Sequence, residues 1–125
     1  IAGKFEKAEG PVKGHNVEPV YFDVELNKDK DFNFKLPSTH NTFVYLISGE
    51  IEIGKNKHEN LKDSTLILLT RGEDLTVKAK SNAKFLVISG KPINEEIARG
   101  GPFVMNTKAE ILQAVQDYHN GTFVK

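Results

Sequence analysis

The sequence predicts a mainly β fold, an antiparallel sandwich or barrel followed by one C-terminal α-helix, and three observations carry that prediction. Val20-Tyr21-Phe22-Asp23-Val24-Glu25-Leu26 alternates, with Val20, Phe22, Val24 and Leu26 on one face and Asp23 and Glu25 on the other, the period of a half-buried strand. Runs of the same style recur about every 8 to 12 residues with turn-forming groups between them, as in antiparallel sandwiches and barrels. After Gly100-Gly101-Pro102 the apolar spacing becomes helical.

In chain order, strands are predicted over Asp31 to Leu36, Thr42 to Ser48, Glu50 to Gly54, Thr65 to Thr70, Leu75 to Ala79 and Lys84 to Ser89. The groups between them, Asn27 to Lys30, Pro37-Ser38-Thr39, Ser48-Gly49, Gly54 to Asn56, Arg71 to Asp74 and Lys80-Ser81-Asn82, supply turn chemistry. The β part, about 1–90, ends near Gly90, and about 91–125 reads as a connecting segment and a helix. Thr107-Lys108-Ala109-Glu110 has the form of a capping box, in which Thr107 accepts from the Glu110 amide and the Glu110 side chain reaches back. Ile111, Leu112, Ala114, Val115 and Tyr118 follow at helical spacing, and Asn120-Gly121 supplies the stop. The helix therefore has one apolar face, which must cover an open sheet end or meet a second domain or subunit. No internal repeat, low-complexity tract or long linker interrupts the chain, so 1–125 is read as one domain.

At 125 residues a single domain buries roughly two-thirds of the surface its unfolded chain exposes and needs neither disulfide nor metal to fold. With no Cys, the chain cannot be a disulfide scaffold, hold a thiolate zinc site or use a Cys nucleophile. Lys and Arg number 17 against 17 Asp and Glu, which argues against a nucleic-acid binder driven by phosphate contacts. The longest apolar stretches, Phe43 to Ile47 and Leu66 to Leu69, are far shorter than the roughly 20 residues of a membrane-spanning helix, so no span is predicted. The chain opens on Ile1 rather than Met and without a secretory signal pattern, and is read as a fragment.

Four histidines are the candidate imidazoles: His15, His40, His58 and His119. No two share a strand face or helix turn, so a histidine metal site has weak support. His15 lies in a loop, His58 in the polar run Lys55 to Asn60 that reads as a solvated tip, and His119 in the last helical turn, where the dipole favours a cation. His40 is in a turn just before the strand at Thr42. No Gly-x-Ser-x-Gly elbow, phosphate-binding loop, dinucleotide fingerprint or His-Glu-x-x-His helix occurs. A strand-to-strand turn accounts for Arg71-Gly72-Glu73-Asp74, and the helix stop accounts for Gly121 in Asn120-Gly121-Thr122.

Gly101-Pro102-Phe103-Val104-Met105-Asn106-Thr107, followed by Glu110-Ile111, Ala114, Asp117-Tyr118 and Gly121, closely resembles the C-terminal signature of the pirin family. Ile1-Ala2-Gly3 with Gly10-Pro11, Val20 to Val24, Asn41 to Glu50 and Ser89 to Ile93 continue the resemblance over nearly the whole chain. It implies a cupin fold, an antiparallel β-barrel or jelly roll with a C-terminal α-helix, standing as the second barrel of a bicupin. The family is associated with an iron-dependent dioxygenase activity towards flavonols such as quercetin and with transcriptional co-regulation, and the iron belongs to its N-terminal barrel.

The cupin resemblance also places ligand positions on this chain. Its first motif carries two His, a Glu and a Gly; anchored on Gly49, it puts Thr42 at the Glu and Ser38 and Leu36 at the two His positions. Its second motif ends in a His; anchored on Arg71-Gly72, it puts Leu75 there, with Ser64 and Thr70 at its usual Gly and Pro. Leu, Ser and Thr cannot replace the imidazole and carboxylate donors of non-haem iron. The expectation is thus a metal-free, non-catalytic domain that docks on the N-terminal cupin of the same protein or on a second copy of itself, in the cytoplasm. Gly101, Pro102, Phe103, Val104, Met105 and Asn106, with the helix after them, are the candidate docking residues. A second reading is a barrel that holds a small apolar or aromatic ligand around Leu36, Ser38, His40, Thr42, Val44 and Leu75. A third is a metal-dependent enzyme whose site is rebuilt near His40 from other carboxylates.

Overall fold

A computed structural model describes residues 1–13, 16–54 and 59–124, so His15 and His58 lie outside the described residues. The chain divides into two compact units, Ile1–Pro92 and Ile93–Lys125.

In the first unit, β1 (Lys4–Phe5) and β2 (Ala8–Glu9) form a small hairpin. Eight strands follow: β3 (Val20–Leu26), β4 (Asp31–Lys35), β5 (Asn41–Ser48), β6 (Ile51–Ile53), β7 (Glu59–Leu61), β8 (Thr65–Leu68), β9 (Asp74–Ala79) and β10 (Ala83–Gly90). They make two antiparallel four-stranded sheets, in the orders β3-β10-β5-β8 and β4-β9-β6-β7. Consecutive strands alternate between the sheets over most of the chain, and the last two fill the middle of each, which is the topology of a jelly roll. Strand β3 spans the alternating run that predicts it, and β4, β5, β6, β8, β9 and β10 match their predicted segments to within two residues at either end. Strand β7 lies partly in the run read as a loop tip; it pairs with β6 through Ile51↔Leu61 and Ile53↔Glu59, and main-chain pairing of this kind needs no apolar alternation.

Residues that alternate inward from both sheets form one core. Val44, Leu46, Phe85 and Val87 of the first sheet meet Phe32, Ile51, Leu75, Val77 and Ala79 of the second. Phenylalanines extend this core: Phe5 stacks on Phe32 at 5.5 Å, Phe22 meets Phe34 edge-on at 4.8 Å, and Phe85 meets Phe32 edge-on at 5.8 Å. Ala2 exchanges main-chain hydrogen bonds with Tyr21 (3.1 and 3.0 Å), so the N-terminal arm is tied to β3.

The second unit corrects one expectation. The segment after Gly90 is not a plain connection, because β11 (Ala98–Gly100) and β12 (Phe103–Met105) form a hairpin there. Gly100 pairs with Phe103, leaving Gly101-Pro102 as a two-residue turn. Gly101 has φ +55° and proline cannot take a positive φ, which is the pattern of a type II′ turn. The helix α1 (Lys108–His119) has the predicted capping box and the predicted stop at Asn120-Gly121. Ala114 is buried, Ile111 and Val115 are half-buried, and Leu112 and Tyr118 remain exposed. Phe103 packs against Tyr118 (6.0 Å) and Phe123 (5.1 Å). Among the described residues no helix is long and apolar enough to cross a membrane.

The cap gives this unit a pH dependence. The Glu110 carboxylate accepts from the Thr107 hydroxyl (2.9 Å) and amide (2.7 Å), and these bonds hold its pKa below the ordinary glutamate value of 4.5. A carboxylate depressed on folding stabilises the folded state fully above its unfolded pKa, and that stabilisation is lost as pH falls through the folded value. Amide-exchange protection at Thr107 and Glu110 should therefore be constant above pH 4.5 and fall below it. Glu110→Gln should abolish the acid step, and an unchanged profile in that variant would refute the assignment.

Candidate functional site

Strand register brings a polar cluster to one end of the first sheet. Thr42, near the start of β5, stands opposite Ser89, near the end of β10, and alternation turns both side chains inward. His40 precedes β5 in a turn closed by its own amide, which donates to the Pro37 carbonyl (3.0 Å). Thr42 Oγ1 donates to Ser89 Oγ at 2.9 Å, and Ser89 Oγ lies 3.2 Å from His40 Nδ1. All three residues are buried, His40 to 3% exposure. On the other side of the ring, Nε2 lies 3.9 Å from Oε2 of Glu18, an exposed residue whose backbone is held at φ +45°.

Of the sequence-nominated pocket residues, the fold thus brings His40 and Thr42 together. Leu36, Val44 and Leu75 pack into the core cluster, and Ser38 is exposed in the 37–40 turn. Among the nominated docking residues, Gly101 and Pro102 form the exposed hairpin turn, Phe103 and Met105 are half-buried, and Val104 points outward. Asn106 Nδ2 donates to Glu95 Oε2 and the Glu96 carbonyl, both at 2.9 Å, and so ties the hairpin to the segment before it.

Sequence reasoning missed Ser89 and Glu18. Ser89 had a signal: it continues the inward series Ala83, Phe85, Val87 as the one polar member, and a hydroxyl in an inward register needs a buried partner. Glu18 had none, because its position comes from the path of the chain into β3. No group of three or more His, Asp or Glu that could hold a metal ion occurs among the described residues.

A jelly roll of eight strands, with a polar cluster where β5 begins and β10 ends, is a cupin-class domain. Within that class the chain belongs to the pirin family: the model of the Pirin C-terminal cupin domain matches residues 21–124. The crystal structure of quercetin 2,3-dioxygenase from Acinetobacter baumannii superposes with a TM-score of 0.85 and 34% identity, covering 98% of this chain and 42% of that one. A pirin-like protein of Solanum lycopersicum is 39% identical over 104 residues, which is 82% of this chain and 36% of the relative. Pirin of Homo sapiens is 32% identical over 104 residues, 81% of this chain and 36% of its own. The chain spans less than half the length of these relatives.

Proposed function

We propose that this domain is the metal-free half of a two-barrel pirin-like protein and docks on an N-terminal cupin that carries the iron-dependent, quercetinase-type or co-regulatory role. The observation that supports it most is the donor set. At the positions where the cupin resemblance puts iron ligands stand Leu36 and Leu75, whose hydrocarbon is packed in the core, Thr42, already bonded to Ser89, and the exposed Ser38. Iron is held by imidazole and carboxylate, and these residues do not fit it. The relatives carry more than an equal length of chain beyond the matched region, enough for a second barrel. Apolar side chains that a partner could cover are present in each unit: Leu66 and Leu68 on the edge strand β8, the latter 78% exposed, and Val104, Leu112 and Tyr118 in the second unit.

The test is elemental analysis of the 125-residue protein purified without chelator or nickel resin. Iron, zinc and nickel should each be far below one atom per chain. A near-stoichiometric metal that Glu18→Ala or His40→Gln removes would overturn the reading and favour a site rebuilt around His40.

A further inference from the structure

We propose that the cavity over His40 is a binding site for a small neutral alcohol or phenol, whose hydroxyl bridges His40 Nε2 and the Glu18 carboxylate. This site lies wholly in the first unit and is independent of the docking role. The cavity, of about 340 Å³, is walled by the N-terminal arm, the entry to β3 and the 37–40 turn, with His40 in its lining. That volume is at the lower end of the range typical of small-ligand pockets.

With Thr42 donating to Ser89, the Ser89 hydroxyl hydrogen is assigned to His40 Nδ1, which puts the ring hydrogen on Nε2. Nε2–H thus faces Glu18 across 3.9 Å. That gap is too long for a direct N–H···O bond and is spanned by one oxygen with two legs of about 2.8 Å. The bridging atom must accept from Nε2–H and donate to a carboxylate, and a hydroxyl does both through a single atom. A carboxylate ligand would stand against Glu18, and an ammonium would stand against Nε2–H. The two lysines of the lining do not shift this balance, because Glu9 and Glu18 offset the charge of Lys4 and Lys13, and Lys13 is paired with Glu9 at 3.4 Å. Val12, Pro19, Val20 and Pro37 supply hydrocarbon for the body of the ligand.

Phenol and anisole test the proposal, since anisole keeps the ring and the ether oxygen but has no proton to donate. Titrated into the labelled protein, phenol should shift the His40 imidazole resonances saturably, with a Kd on the order of 1 mM for so small a ligand. Anisole and benzoate should bind at least about tenfold more weakly, a difference set by the lost hydroxyl bridge. Glu18→Ala, at an exposed position, should weaken phenol at least about fivefold with the circular dichroism spectrum unchanged. Equal binding of phenol and anisole, no saturable shift at His40, or full affinity in Glu18→Ala would each overturn it. Filling of the gap by water alone would show as the second of these.

Discussion

Gly49→Ala should destabilise the first unit by about 2–4 kcal/mol, read as a lower urea midpoint with little change in slope. Gly49 lies where the chain leaves β5 in one sheet to start β6 in the other, and its φ of +92° is outside the comfortable range of any side-chain-bearing residue. A Cβ there would lie 2.3 Å from the Asn82 carbonyl oxygen and 2.7 Å from Ala83 Cα, both main chain. The neighbouring backbone cannot move away cheaply, because Glu50 N donates to Ser81 Oγ (2.9 Å) and Lys80 N donates to the Glu50 carbonyl (2.8 Å). Two crossings between the sheets are therefore locked together at this glycine. An unchanged urea midpoint would show that neither the backbone conformation nor the close approach at Gly49 contributes.

Ser89→Ala should lower stability by roughly 2–3 kcal/mol although it removes one oxygen atom. The loss comes from the groups left behind: Thr42 Oγ1 and His40 Nδ1 both bond to Ser89 Oγ, and both belong to buried residues. A buried donor or acceptor without a partner loses its full hydration, whereas removing both partners together is close to neutral. Thr42→Val combined with Ser89→Ala should therefore lose less than the sum of the two single changes. Urea unfolding of the four proteins measures that coupling, and strict additivity would mean that Thr42 and Ser89 do not act as a unit.

The fold was legible in the sequence wherever burial was one-sided. Val20 to Leu26 alternates because one face of β3 turns toward the other sheet, and the Thr107 to Glu110 box reads directly because a cap is a local bargain between neighbours. Apart from β6, the short strands were not legible, for a physical reason in each case. Strands β1, β2 and β7 have two or three residues, too few for alternation to stand out, and they are held by main-chain pairing. The β11–β12 hairpin was hidden because Gly100-Gly101-Pro102 reads as a break, while Gly101-Pro102 is the turn of a hairpin. At the candidate site, His40 and Thr42 were singled out for their place beside a strand. Their partners come from 49 and 47 residues away in sequence, on a strand whose neighbours follow from topology rather than from local pattern.

The position of β9 and β10 has a consequence for how the molecule is made. Each sits between two earlier strands, β10 between β3 and β5 and β9 between β4 and β6. Of the pairs in the two four-stranded sheets, a chain emerging from the ribosome that has delivered everything before Asp74 can form β5–β8 and β6–β7, while β3 and β4 have no neighbour in either sheet. Long loops must then close before any of the central pairing is rewarded, which makes assembly slow and all-or-none. The first unit has no stable half: synthesis has to finish β10 before β3, the earliest strand of the two four-stranded sheets, has a neighbour in its sheet.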